Sequence, residues 1–226
     1  MKINYIFFDF DGVLAESVNI KTEAFRRMYL PYGEDFAQKV VDHHIANGGM
    51  SRYEKVKIYN GEWLGEEINK EKIQQLSDIF SDLVVDGVVN SKEVTGTSDF
   101  LNSSLDYKKY IITGTPTIEI QPILERRNMN HFFEKIYGSP EKKDYWVKEI
   151  LKNKKILPEQ CVFIGDALAD YNAAIGNNIT FILRETKEAE NLFKHYRGYR
   201  IKDLTSLHKI LFEIQNNNPL KEKQYN

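Results

Sequence analysis

Four aspartates follow two apolar segments of the chain and could together bind a metal ion. Asp9 and Asp11 come after the first segment, and Asp166 and Asp170 come after a later one. Two unit charges about 4 Å apart repel by about 4 kcal/mol at an effective dielectric constant near 20, so four carboxylates in one place require a cation. Carboxylate oxygens with no His or Cys among them suit Mg²⁺. The aspartates therefore predict a magnesium site wherever the fold brings them together.

Two other strand-like segments end in residues that could bind an anion. Thr113 and Gly114 end one of them and offer a hydroxyl and a backbone amide, and two adjacent lysines follow the other. Of these lysines, Lys143 lies four residues before Val147, in the apolar stripe of the following helix, so it shares the inward face. Lys142 lies about 100° around the helix axis from Lys143 and so does not share that face. Lys143 is therefore expected in the site, where an anion would offset its unfavourable position in the first helical turn.

Short apolar segments rich in β-branched and aromatic residues predict the strands that would hold these groups. They lie at residues 3–8, 109–113, 135–137, 161–165 and 180–183, with a weaker one at 199–201. Helical patterns separate them, and this alternation predicts an α/β fold with a doubly wound parallel sheet. Ligands bind beyond the carboxyl ends of the strands in such a sheet, so the aspartates, Thr113 and Lys143 should share one crevice.

Individual residues predict where several elements begin and end. Thr115-Pro116 and Ser139-Pro140 each place a hydroxyl at an N-cap and a proline at the first helical position. Gly176 predicts the end of the helix that follows Asp166. The polar tail after Gln215 predicts disorder.

Residues 15–90 interrupt the alternation, because they contain several helical patterns and no convincing strand. The clearest pattern has four apolar residues on one helix face: Ile73, Leu76, Phe80 and Leu83. We predict a helical domain at residues 15–90, inserted after the first strand of a core formed by residues 1–14 and 91–226. The two crossings between these domains, near residues 15–17 and 89–93, would act as hinges.

The order of the acidic and basic residues resembles that of a known family. Asp9-Phe10-Asp11-Gly12-Val13, Thr113, Lys143 and the segment from Gly165 to Asp170 are similar to the four motifs of the haloacid dehalogenase (HAD) superfamily of aspartate-nucleophile hydrolases. The position of the insert resembles that of the cap in phosphoglycolate-phosphatase-like and β-phosphoglucomutase-like members. The resemblance implies a HAD-like Rossmannoid core with a small helical cap.

The resemblance also implies the chemistry of the first motif. Asp9 would attack phosphorus and form an aspartyl-phosphate, and Asp11 would protonate the leaving oxygen and later deprotonate water. Dehalogenases and phosphonoacetaldehyde hydrolases lack an acid at the position of Asp11. Its presence indicates a leaving group that needs a proton, so the expected substrate is a phosphate ester.

The remaining motifs would bind the metal and the phosphoryl group. The resemblance implies that Mg²⁺ is held by Asp9, by the backbone carbonyl of Asp11 and by Asp166. Asp170 would bind the metal through water or orient Lys143. A separate set would bind and neutralise the phosphoryl oxygens: Thr113, the amide of Gly114, and Lys143.

One loop of the insert could bind another part of the substrate. Gly49-Met50-Ser51-Arg52 fits the Gly-x-Ser-Arg loop of β-phosphoglucomutase-like proteins, whose arginine grips the distal phosphate. Arg52 is therefore a candidate for substrate binding, with a solvated arginine at a helix start as the equal alternative. At most one of His43 and His44 can line the site, because adjacent helical residues do not face the same ligand. Lys21 could also reach the crevice.

These features favour a Mg²⁺-dependent phosphatase of a small phosphorylated metabolite, such as a sugar phosphate. A phosphosugar mutase is the alternative, favoured by the Arg52 loop and disfavoured by Gly165-Asp166, where β-phosphoglucomutase-like members carry Glu-Asp. A receiver-like signalling domain also uses an acidic pocket with Thr and Lys. Its phosphorylated Asp lies on a later strand than the acidic pair, which disfavours it here.

Composition limits the partners and the compartment. The chain has 226 residues, of which 42% are hydrophobic, and a net charge of -2, so no nucleic-acid partner is expected. No apolar run approaches the roughly 20 residues of a membrane span, so no membrane association is expected. The single cysteine, Cys161, cannot form an internal disulfide and indicates a reducing, cytoplasmic location. The oligomeric state stays open.

Overall fold

The computed structural model describes residues 2–103 and 106–216 of the chain. Six strands form one sheet in the order β3-β2-β1-β4-β5-β6, and every neighbouring pair is parallel. Their bounds are β1 (Tyr5–Phe8), β2 (Lys108–Pro116), β3 (Lys135–Ser139), β4 (Cys161–Gly165), β5 (Thr180–Arg184) and β6 (Tyr199–Ile201). Because β1 lies between β2 and β4, the residues after β1 are flanked by the carboxyl ends of two other strands.

The alternation of side chains along β1 divides them between two apolar cores. Ile6 and Phe8 lie in one core and Phe7 in the other, and all three are fully buried. The first core is covered by α5 (Thr97–Leu101), α6 (Thr117–Arg126) and α9 (Leu207–Asn216), and the second by α7 (Lys143–Lys154) and α8 (Leu168–Ile175). Burial on both faces explains why the strand reads as a continuous apolar run.

The chain between β1 and β2 begins with four helices. They are α1 (Val18–Tyr29), α2 (Glu34–Ala46), α3 (Arg52–Val56) and α4 (Lys70–Asn90), and a π-helical turn at Lys57–Trp63 continues α3. Aromatic rings hold them together, with Phe25 centred 4.2 Å from Phe80 and 5.7 Å from Tyr59. We use the name cap for residues 15–90, whose boundaries remain a prediction. In residues 2–103 and 106–216, no helix has both the length and the apolar character needed to cross a membrane.

The two segments that connect the cap to the sheet run side by side. The backbone N–H of Glu16 donates to the carbonyl of Lys92 at 2.9 Å, and that of Val94 donates to the carbonyl of Leu14 at 3.1 Å. The chain therefore leaves the core and returns to it at nearly the same point.

The structure confirms the predicted parallel α/β fold, and β4 and β6 have the predicted bounds at both ends. The two predicted helix starts were wrong: Thr115-Pro116 lies inside β2, and α7 begins after Ser139-Pro140, at Lys143. The reason is that Pro116 pairs with Ser139 across the sheet, so both strands continue further than their apolar residues indicate.

The predicted stop at Gly176 is confirmed, because α8 ends at the residue before it. The predicted disordered tail lies outside the described residues, except for Asn216, which ends α9.

Candidate active site

Asp9 follows β1 directly, and both of its carboxylate oxygens are held. Oδ1 accepts a hydrogen bond from the backbone N–H of Phe10 at 2.7 Å, and Oδ2 lies 2.8 Å from Nζ of Lys143. The backbone N–H of Asp9 donates to the carbonyl of Ile164 in β4 at 3.0 Å, which fixes the main chain at this point. With only 4% of the residue exposed, Asp9 is an oriented carboxylate at the base of the crevice.

Lys143 is the first residue of α7 and joins two of the aspartates. Its Nζ lies 2.6 Å from Oδ1 of Asp170 and 2.8 Å from Oδ2 of Asp9. Burial lowers the pKa of Lys143, but these two carboxylates raise it more, so the side chain is a cation. They also offset its position at the positive end of the helix dipole. Lys142, by contrast, is exposed and lies 3.5 Å from Glu54 of the cap.

Asp170 is fully buried in the first turn of α8. One of its oxygens is bound by Lys143, and the other accepts a hydrogen bond from the N–H of Ala167 at 3.0 Å. Burial raises the pKa of Asp170 and Lys143 lowers it, with the net pKa above its ordinary value. Asp170 is therefore well placed to orient Lys143, one of the two roles expected for it.

Asp166 completes a group of three carboxylates with Asp9 and Asp170, in which one oxygen of each lies within 4.8 Å of the others. Burial raises the pKa of Asp166 well above its ordinary value, and the charges of Asp9 and Asp170 add to this effect. Within residues 2–103 and 106–216, no side chain or backbone group donates a hydrogen bond to Asp166. Three hard oxygen donors, one of them lacking a donor partner, fit Mg²⁺.

The carboxylate of Asp11 is not part of that group and contacts residues of the cap and of β2 instead. It accepts hydrogen bonds from Ser17 at 2.6 Å, from Thr115 at 2.9 Å and from the ammonium of Lys21. Burial raises the pKa of Asp11, but Lys21 and these hydrogen bonds lower it more, so the net pKa is below its ordinary value. Asp11 is therefore held as a carboxylate. The backbone carbonyl of Asp11, not its side chain, is the group predicted to bind the metal, and that assignment stays a prediction.

The loop of the cap that contains Gly49 covers the end of β2, where a phosphoryl group is expected. Thr113, Gly114 and Gly49 line the same cavity, which lies between the cap and the sheet. A Cβ atom on Gly114 would lie 2.7 Å from the carbonyl oxygen of Gly49, closer than such atoms approach. Only glycine at position 114 allows the loop to come so near, and the structure therefore has the cap closed over the site.

Arg52 lines this cavity, but its charge already has a partner. Its guanidinium forms two hydrogen bonds to the carboxylate of Glu119 in α6, one of them 2.7 Å long, and donates to Ser81 at 2.6 Å. The Arg52 and Glu119 side chains are only 4% and 6% exposed. The alternative of a solvated surface arginine is therefore wrong. Binding of a substrate anion by Arg52 stays a prediction, and that anion would compete with Glu119.

The sequence did not reveal several residues that line or support the site. Lys55 lies three residues after Arg52, a spacing that places both on one helix face, but nothing in the sequence shows that this face points inward. Ser17 and Glu119 carry no motif at all. Of the two adjacent histidines, His44 lines the cavity, while His43 contacts Tyr59 and Trp63 in the cap.

The fold and the site together define an α/β protein with an acidic site at the strand ends and a cap over it. A sequence profile described as haloacid dehalogenase-like hydrolase matches residues 6–184. The chain therefore belongs to the haloacid dehalogenase-like hydrolases, and the predicted family is confirmed.

One curated relative and two solved structures that resemble this chain share only 18–26% sequence identity with it. A curated phosphoglycolate phosphatase of Colwellia psychrerythraea is 26% identical over 185 residues, which cover 77% of this chain and 80% of the relative. The structure of β-phosphoglucomutase from Clostridium difficile superposes with a TM-score of 0.74 at 19% identity, covering 94% of this chain and 97% of that one. A Bacillus subtilis HAD hydrolase, described as bound to magnesium, has a TM-score of 0.67 at 18% identity, with coverages of 94% and 100%. The two structures establish likeness of fold only.

Proposed function

We propose that the protein is a Mg²⁺-dependent phosphatase that hydrolyses a small phosphate ester, such as a sugar phosphate, through an aspartyl-phosphate. The observation that carries this proposal is the Asp9 carboxylate, held at the end of β1 between the Phe10 amide and Lys143. An oriented carboxylate beside a cation is equipped to attack phosphorus, because the cation offsets the charge of the phosphoryl oxygens. The curated phosphoglycolate phosphatase relative is a phosphatase by name and supports this class.

The two half-reactions would use the same two aspartates. An oxygen of Asp9 forms a bond to phosphorus while the bond from phosphorus to the leaving oxygen breaks, and that oxygen takes a proton from Asp11. Asp11 must enter this step protonated, whereas Lys21 and the hydrogen bonds to Asp11 favour its carboxylate form before substrate binds. Water then attacks the phosphorus of the aspartyl-phosphate, Asp11 takes the proton of the water, and Asp9 and inorganic phosphate are released. The hydrogen bonds from Ser17 and Thr115 keep the Asp11 carboxylate oriented for both transfers.

The other residues would bind the phosphoryl group and the metal. Thr113, the Gly114 amide and Lys143 would surround the phosphoryl oxygens. The Mg²⁺ ion would be held by Asp9, Asp166 and the Asp11 carbonyl, with Asp170 orienting Lys143. When bound, the ion would supply positive charge that lowers the repulsion between the carboxylates and the phosphoryl group.

Phosphate release from a panel of phosphorylated metabolites, and from p-nitrophenyl phosphate as a generic ester, tests the proposal. Each substrate is assayed with Mg²⁺, and Asp9→Asn serves as the matched control because the amide has nearly the same shape. We expect Mg²⁺-dependent release by the natural protein and none by the variant. Equal release by both proteins, or none by either, would refute the proposal.

A phosphosugar mutase remains the alternative, and the site disfavours it at one position. A Cβ atom on Gly165 would lie 2.2 Å from Cβ of Asp170, so a glutamate at this position would displace Asp170 and, with it, Lys143. The Glu-Asp pair of β-phosphoglucomutase-like members therefore does not fit here. Formation of an isomeric sugar phosphate from a hexose 1-phosphate, dependent on a bisphosphate activator, would identify a mutase instead.

A further inference from the structure

The cap contributes a buried lysine to the cavity, and no carboxylate in the described part of the chain forms an ion pair with it. Lys21, Arg52 and Lys55 all line the cavity. Lys21 is paired with Asp11 and Arg52 with Glu119, so the charges of both are balanced within the protein. Lys55 is only 2% exposed, and no carboxylate in residues 2–103 or 106–216 lies within ion-pair distance of its ammonium.

The contacts of Lys55 orient it without neutralising it. Its Nζ lies 2.7 Å from Nδ1 of His44 and 3.5 Å from the His44 carbonyl oxygen. Burial, with the charge of Lys55 second, holds the pKa of His44 well below its ordinary value, so its ring is neutral. Nδ1 then accepts a hydrogen bond from Lys55, and the other ring nitrogen of His44 is an N–H donor.

The surroundings make a bare ammonium costly at this position. Nζ of Lys55 lies 5.5 Å from the centre of the Phe25 ring, which packs against Phe80, so much of its environment is apolar. Burial, with Lys21 second, lowers the pKa of Lys55 to about 7. A charged group in such a place is stabilised when an anion comes within contact distance, because the attraction between charges is strong where water is excluded.

We propose that Lys55, oriented by His44, binds a second anionic group on the leaving portion of the substrate, a carboxylate or a second phosphate. This inference rests on the proposed phosphatase function, since it names the kind of ester that the same site takes. The transferred phosphate would lie at Asp9, and the second anion would lie at the cap end of the cavity, beside Lys55 and His44. Lys55, rather than Arg52, is thus the residue that selects an acidic substrate.

Two pairs of matched esters test this and distinguish the two anions. Phosphoglycolate is compared with its neutral amide, and ethylene glycol bisphosphate is compared with 2-hydroxyethyl phosphate. For the natural protein, we expect kcat/KM to be at least about tenfold higher for the acidic member of one pair. The pair that shows the preference identifies the anion as carboxylate or phosphate.

The variant Lys55→Met removes the charge while keeping a side chain of similar length. We expect the acidic-to-neutral ratio of kcat/KM to fall to about one, because only the acidic member loses a contact. The matched control is Lys57→Met, an exposed lysine two residues away, which should leave the ratio unchanged. Lys55→Gln repeats the test if the methionine variant fails to fold.

Two results would overturn the inference. One is an equal kcat/KM for the acidic and neutral members of both pairs, and the other is a preference that survives in a folded Lys55→Met or Lys55→Gln protein. Hydrolysis of p-nitrophenyl phosphate separates this failure from failure of the phosphatase itself. If that ester is hydrolysed and the ratios are flat, only the Lys55 assignment is wrong, whereas no hydrolysis of any ester refutes both.

Discussion

Removal of either partner of the buried ion pair between Arg52 and Glu119 should destabilise the closed cap. Arg52→Ala leaves the Glu119 carboxylate, only 6% exposed, with Ser81 as its remaining side-chain donor. Breaking a buried pair in this way costs about 3–5 kcal/mol, because a charge stays buried without a partner. For a protein of this size, that loss corresponds to a decrease in Tm of about 6–20 °C.

A double-mutant cycle measures this effect. The free energy of unfolding is measured in urea for Arg52→Ala, Glu119→Ala and the double variant. We expect each single variant to lose about 3–5 kcal/mol and the double variant to lose much less than their sum, because no charge is then left unpaired. A loss below about 1 kcal/mol for Arg52→Ala would refute the reasoning, since it would mean that the pair is solvated.

Activity in the same variants decides between pairing and substrate binding by Arg52. Both single variants lose the ion pair that joins the cap to the core. The value of kcat/KM should therefore fall by similar factors in the two variants, both for p-nitrophenyl phosphate and for an acidic ester. If Arg52 instead binds the substrate anion, Glu119→Ala frees it and the two variants differ. A loss confined to acidic esters in Arg52→Ala would support the predicted binding of a substrate anion by Arg52, and it would contradict the assignment of the acidic preference to Lys55 rather than Arg52.

Three other predictions concern the core of the site. Asp9→Asn should keep the fold, checked by circular dichroism, and lower kcat/KM more than about a hundredfold, since an amide is a poor nucleophile. EDTA should stop phosphate release, and added Mg²⁺ should restore it. Asp166→Ala should raise the Mg²⁺ concentration that gives the half-maximal rate. If that concentration does not change, Asp166 is not a metal ligand. Gly114→Ala should lower kcat, because the new Cβ atom would lie 2.7 Å from the carbonyl oxygen of Gly49 and would prevent the cap from closing fully. An unchanged kcat would mean that this closure is not needed for catalysis.

The sequence predicted those parts of the site that depend on the chain's own regularities. Asp9 and Asp166 follow apolar strands, and the position of Lys143 before Val147 in the stripe of α7 indicated its direction. These features are local, because strand ends and helix faces are set by spacing along the chain.

The rest of the site depends on which elements become neighbours. The partner of Arg52 is Glu119, which lies in a helix of the core, and the inward direction of Lys55 follows from how α3 packs in the cap. The bounds of β2 and β3 depend on the pairing of Pro116 with Ser139. None of these can be read from spacing, since each is decided by contacts between distant segments.

The adjacent crossings between cap and core also affect how the chain folds. Tyr5 of β1 pairs with Lys108 of β2, so joining these strands closes a loop of roughly a hundred residues, at an entropic cost of about 4 kcal/mol. A cap that forms first brings Glu16 beside Lys92 and leaves a loop of roughly thirty residues, which saves about 1 kcal/mol. That saving is about a fivefold gain in the rate at which β1 finds its partner. Among the described strands, β1 and β2 are the consecutive pair with the longest intervening segment, and the cap keeps the ends of that segment close together.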